Sequence, residues 1–259
     1  TDMGDMFSGC SSLPSLDVTN FDTSRVTDMG DMFSGCSSLP SLDVANFDTA
    51  RVTDMSYMFS ACLSITELDL SNFDTQNVLY MHGMFLGCES LSMLDLSSFD
   101  APNLVTVWMM FYKCKLLKTV DVSRLNVSKC SDFGYMFAEC ESLVEVDVSN
   151  FDTSGMMLGL GADNSFGMCC MFYKCKSLKN LDVSHFNTSG ANDMYGMFAW
   201  CGELTVLDVS NFDTRNVVDF GYMFKSCWRV STIDVSNFDT SNAENMSCMF
   251  DSCQYAGNL

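Results

Sequence analysis

Three apolar and polar patterns follow one another along this chain with a fixed beat. Leu42-Asp43-Val44 reads apolar, polar, apolar, the period-two signature of a half-buried strand with Leu42 and Val44 inward and Asp43 outward. Asn46-Phe47-Asp48-Thr49 follows, with turn formers around a Phe large enough to plug a core. Then Val52, Met55, Met58, Phe59 and Cys62 recur every three or four residues. That spacing suits a short helical or 3₁₀ turn or a second short strand, and the pattern alone does not separate them.

The beat is a repeat. Residues 1 to 18 return unchanged at 27 to 44, and Met-Phe followed three residues later by Cys recurs throughout. Met6, Met32, Met58, Met84, Met110 and Met136 are 26 residues apart; after a longer step to Met171 the interval resumes at Met197, Met223 and Met249. The break is a nine-residue insertion within 154 to 170. Self-similarity at such a period predicts a solenoid of about ten coils over residues 1 to 259, a single array that starts and ends inside a repeat. Each coil offers about six core residues, too few to fold alone, so stacking must bury them. Coils ~4.8 Å apart would make a rod on the order of 50 Å long.

Charge supports the register. Glu89, Lys115, Glu141 and Lys176 alternate in one column, and Lys113, Glu139 and Lys174 alternate two positions earlier, so opposite charges should meet across neighbouring coils. Taken whole, 13 Lys and Arg stand against 33 Asp and Glu, a net charge of -20 that repels nucleic-acid phosphates and anionic lipid. No run is long and apolar enough to cross a membrane and none resembles a signal peptide, so a targeting or anchoring segment is expected outside these residues.

The middle residue of each strand builds an aspartate ladder: Asp17, Asp43, Asp69, Asp95, Asp121, Asp147, Asp182, Asp208 and Asp234. Carboxylates stacked ~4.8 Å apart repel by roughly 0.9 kcal/mol per pair even in bulk water. Shared protons, hydrogen bonds from nearby backbone or Ser/Thr groups, or bound Ca²⁺ could offset this. The ladder is therefore a candidate metal site, with internal hydrogen bonding ahead of it, and no other cofactor is expected. A second acidic column, Asp22, Asp48, Asp74, Asp100, Asp152, Asp213 and Asp239, reads as aspartates that bond their own turns.

Ten of fourteen cysteines fill one column from Cys10 to Cys253. Their spacing lies within reach of a disulfide, but side chains pointing the same way into a core read as small buried hydrophobes, and they lack zinc-site spacing. Cys130, Cys169, Cys170 and Cys248 fall outside the column and are expected to be the exposed or reactive ones. The incomplete threonine column, Thr23 to Thr240, reads as turn capping. His82 and His185 occupy different repeat positions and read as solvated turn residues, and Gly159 and Gly161 lack the third glycine of a phosphate cradle. No catalytic constellation stands out, so no enzyme is expected. Tyr57, Tyr135 and Tyr222 share a column expected to look outward, and with Trp108 they are candidate partner contacts.

The unit C-x-x-L-x-x-L-D-V-S-x-F-D-T, preceded by V-x-x-M-x-x-M-F, resembles the BspA-like leucine-rich-repeat surface proteins over nearly the whole chain, departing from it at Leu125-Asn126-Val127 and at the insertion. The resemblance implies a leucine-rich-repeat-like solenoid of short parallel β-strands with short helical or 3₁₀ turns, displayed outside the cell at a cell surface. It also implies adhesion to protein or glycan without catalysis, and it transfers no site residues. A structural role in a filament or surface layer, through self-association, is the alternative. Variation from Glu89 to Trp228 marks where a specific site belongs.

Overall fold

The computed structural model describes residues 1–156 and 167–254. Counting coils by their Met-Phe pairs, from Met6 in coil 1 to Met249 in coil 10, every coil stacks on the next in parallel. The predicted solenoid is what forms, and its register carries across the insertion: Phe137 N–H donates to Met171 O at 2.9 Å, as Phe111 does to Met136. The glycines at 159 and 161 lie outside the described residues.

The segment whose conformation the sequence leaves open is the backbone spine. Phe7, Phe33, Phe59 and Phe85 each donate their N–H to the Met carbonyl of the following coil at 2.9 to 3.0 Å. Between these bonds the chain closes tight turns, as from Cys36 N–H back to Phe33 O at 3.1 Å. Inter-coil bonds and local turns thus alternate, and the alternation forces two residues per coil into the left-handed region. One column runs Asp5, Asp31, Tyr57, Gly83, Met109 and Tyr135; the other runs Gly9, Gly35, Ala61, Gly87, Lys113 and Glu139. The spine is neither helix nor regular strand, which is why a three-to-four-residue spacing alone did not define it.

The L-D-V triplets alternate as expected: Leu94 and Leu96 are buried and Asp95 is exposed. Among the described residues regular strands occur there in two coils, β1 (Met93–Asp95) and β2 (Thr119–Asp121), paired parallel. A bridge between Glu145 and Asn180 continues the pairing. Among the described residues the 3₁₀ helix is Thr153–Gly155, in the F-D-T turn of one coil and not in the Met-Phe segment where the spacing suggested a helical turn. Just before the triplets, the N–H groups of Lys118, Val144 and Lys179 donate to the preceding coil. Pro40 occupies that column in coil 2 and has no N–H to give.

Between spine and strand face lies a core of stacked columns. Phe33 and Phe59 stack with centroids 5.8 Å apart, as do Phe111 and Phe137 at 5.3 Å and Phe224 and Phe250 at 5.5 Å, all within 12° of parallel. Each cysteine of the ladder except the first lends its thiol to a Phe carbonyl of the preceding coil, as Cys114 does to Phe85 at 3.1 Å. These thiols are free, and burial raises Cys62 to about 12. The column threonines from Thr23 to Thr214 are also interior, and hydroxyls such as that of Thr188 link coils rather than cap their own turns: Thr188 Oγ1 accepts from Asp213 N–H at 2.7 Å and donates to Asp213 O at 3.1 Å.

Candidate recognition surface

The aspartate ladder is built from Asx turns. In all nine residues Oδ1 accepts the N–H two positions on, as Asp95 does from Ser97 at 2.8 Å and Asp147 from Ser149 at 2.9 Å. The hydroxyl and then the N–H of the Thr or Ser two positions on hold Asp17, Asp69, Asp95, Asp147, Asp182, Asp208 and Asp234 below the ordinary aspartate value. Local donors therefore favour ionised, separate carboxylates over shared protons. Among the described residues, no three His, Cys, Asp or Glu side chains are gathered as a metal site.

Across coils 4 to 7 this face opens into a groove of about 800 Å³. Leu94, Val120, Val146 and Leu181 form its floor, each no more than 7% exposed, and Asp95, Asp121, Asp147, Asp182 and Glu145 supply charge. The residue just before each triplet completes it: Met93, Thr119, Glu145 and Asn180. Sequence reasoning missed this column. Its signal was a freely varying position beside three nearly fixed ones, and both Met93 and Val206 in it are about two-thirds or more exposed, at 67% and 70%.

The four aromatic candidates do not line that groove. Tyr57, Trp108, Tyr135 and Tyr222 are half-buried rather than outward-looking. Tyr57 packs on the edge of His82 with centroids 4.9 Å apart, Tyr135 against Tyr112 at 5.7 Å and Tyr222 against Tyr195 at 5.4 Å. The reason is the spine: the tyrosines sit at left-handed positions, and their rings fold along neighbouring coils. A Cβ at Gly83 would come within 2.3 Å of the Tyr57 ring, so a glycine there makes room for it.

Two further expectations are corrected. Cys130, Cys169 and Cys170 are buried, at 0%, 6% and 3%, and burial raises all three thiols, so of the four only Cys248 is exposed. Cys130 takes the inward place of Val78 and Leu104, whereas Cys169 and Cys170 stand in the columns of Trp108 and Tyr135, where small side chains are covered by neighbouring coils. His82 is half-buried, its Nδ1 3.0 Å from Ser56 Oγ, and burial lowers its pKa. Ser56 is only 5% exposed, so this contact links coils and does not offer a nucleophile. His185 is exposed as expected, with Nε2 3.0 Å from Val148 O. Three of the predicted charge pairs form, Lys115 with Glu89 at 2.7 Å, Lys174 with Glu139 at 2.9 Å and Lys176 with Glu141 at 2.8 Å, whereas Lys113 lies over the Tyr112 ring at 4.9 Å from its centroid. No helix among the described residues is long and apolar enough to cross a membrane.

The family model described as "Mycoplasma protein of unknown function, DUF285" matches residues 1–119, 88–158 and 166–258, and the chain belongs to that family. Among solved structures, a leucine rich cell surface protein from Faecalibacterium prausnitzii is similar at 12% identity over 90% of this chain and 75% of that one, with a TM-score of 0.30. A leucine-rich repeat protein from Bacteroides ovatus is similar at 18% identity over 93% and 74%, with a TM-score of 0.31. A leucine-rich repeat protein from Eubacterium ventriosum is similar at 15% identity over 100% and 82%, with a TM-score of 0.29. No curated protein matches. The family match, rather than these superpositions, places the chain.

Proposed function

We propose that this chain is a non-enzymatic recognition or adhesion array displayed outside the cell, which meets a protein or glycan through its L-D-V face. The observation that carries the reading is the variable, exposed column from Glu67 to Val206 set on a frame of fixed Leu, Asp and Val positions. A solenoid of this kind holds many side chains at constant spacing, so affinity builds from repeated small contacts rather than from one closed pocket. The extracellular placement rests on the resemblance of the repeat unit to BspA-like surface proteins.

The test is solid-phase binding of the immobilised chain to a panel of matrix proteins, cell-surface proteins and glycans, run with Ca²⁺ and with chelator. Saturable binding that a Met93→Ser, Val206→Ser double variant weakens supports the reading, and failure to bind any component removes it. Loss of binding in chelator, absent in variants with aspartates of the ladder changed to Asn, would assign Ca²⁺ to that ladder.

A further inference from the structure

We propose that the groove over coils 4 to 7 takes an extended, cationic segment of a partner protein, one with Lys or Arg side chains beside an apolar residue. This rests on the recognition reading above and names the class of partner.

The groove lining holds five carboxylates and no Lys, Arg or His. Three of them, Asp95, Asp147 and Asp182, are held in the ionised form by Ser hydroxyls and N–H groups, so the charge persists at neutral pH. Between the carboxylates lies an apolar floor, and Met93 stands up from its edge at 67% exposure. A ligand must therefore supply positive charge and an apolar group together. No aromatic ring lines the groove, so a sugar ring finds no stacking platform, and the charge rejects sulfated or phosphorylated polymers.

An extended backbone fits the spacing. Carboxylates two coils apart lie about 9.6 Å from one another, and on a chain extended as a polyproline II helix side chains three residues apart share one face about 9.3 Å apart. A segment with cations at every third residue can thus meet alternate coils. The site is also preorganised where it needs to be. Pairing of β1 with β2, the Glu145 and Asn180 bridge, and the N–H bonds of Lys118, Val144 and Lys179 tie together the same coils that form the groove.

Fluorescence anisotropy at physiological salt tests this with three labelled peptides of about ten residues: Lys every third residue among Leu and Ser, the same with Glu for Lys, and the same with Ser for Leu. The first should bind, the second should not, and the third should bind several-fold more weakly. The combined Asp95→Asn, Asp121→Asn, Asp147→Asn variant should weaken binding of the first peptide about tenfold or more. The matching variant in coils 1 to 3, Asp17→Asn, Asp43→Asn, Asp69→Asn, should leave it unchanged. Asn can keep the turn, as Asn126 and Asn187 do by accepting the N–H of Ser128 and Ser189.

Equal weakening by the two triple variants would assign the attraction to overall charge and overturn the proposal. So would absence of binding by the first peptide. A chain that captures a panel protein through Met93 and Val206 yet ignores the cationic peptide would retain the recognition reading and lose this one.

Discussion

Ala61 stands at φ +53, in the column where Gly9, Gly35 and Gly87 stand, and a Cβ is a burden there. Ala61→Gly should raise the thermal midpoint, whereas Ala138→Gly, at a buried position without positive φ, should lower stability by about 0.5–1 kcal/mol. Thermal unfolding of the two variants checks both signs. The glycines of this column were visible in the sequence, but Lys113, Glu139, Lys174 and Trp200 share its left-handed backbone and masked the rule. What forces the conformation is the bonding pattern of the neighbouring coil, which no single repeat displays.

Protonation is also decided residue by residue. Seven ladder aspartates have folded pKa values below their ordinary 3.8, so the stability they contribute is present above that value and is lost as pH falls through the lowered ones. Asp193 runs the other way: burial, with Asp219 nearby, raises it to about 6. The folded state then binds the extra proton between about 6 and 3.8, and stability rises as pH falls through that window. The midpoint should therefore peak between these values and fall below them, and Asp193→Asn should flatten the upper limb. A midpoint that falls steadily from pH 7 to 5 and is unaffected by Asp193→Asn would contradict this assignment.

At the scale of the element, the coil is a set of columns, and the columns that carry one chemistry were the ones legible in advance. The Leu and Val of the strand face, the cysteines and the alternating charges each landed where their repetition placed them, because identical neighbours in identical registers leave little choice. The exceptions are positions where a column changes character, as at Cys169 and Cys170, which are buried in columns that elsewhere hold the half-buried Trp108 and Tyr135. Thiol labelling of the native chain should therefore modify Cys10 and Cys248 first. Cys130, Cys169, Cys170 and the interior ladder should react only on unfolding. Rapid native labelling of Cys169 or Cys170, mapped by mass spectrometry, would show that the inward placement is wrong.

Across the whole molecule, a uniform frame carries a non-uniform surface. Coils 1 and 2 are nearly identical and end their turns in Pro-Ser before the triplet, whereas coils 4 to 7 lace the same region with backbone bonds and present varied side chains beside it. The sequence pointed to this stretch by its variation, but it directed attention to the tyrosines, because an aromatic column is conspicuous and a column of Met, Thr, Glu and Asn is not. Only stacking shows that the latter opens onto a groove while the former is half consumed by contacts between coils.

Hydrogen exchange on the chain with and without a bound panel partner tests the recognition face most directly. New protection is expected at residues 93–95, 119–121, 145–147 and 180–182, with the spine unchanged. Protection gathered instead around Tyr57, Trp108, Tyr135 and Tyr222, with those four segments unaffected, would contradict it.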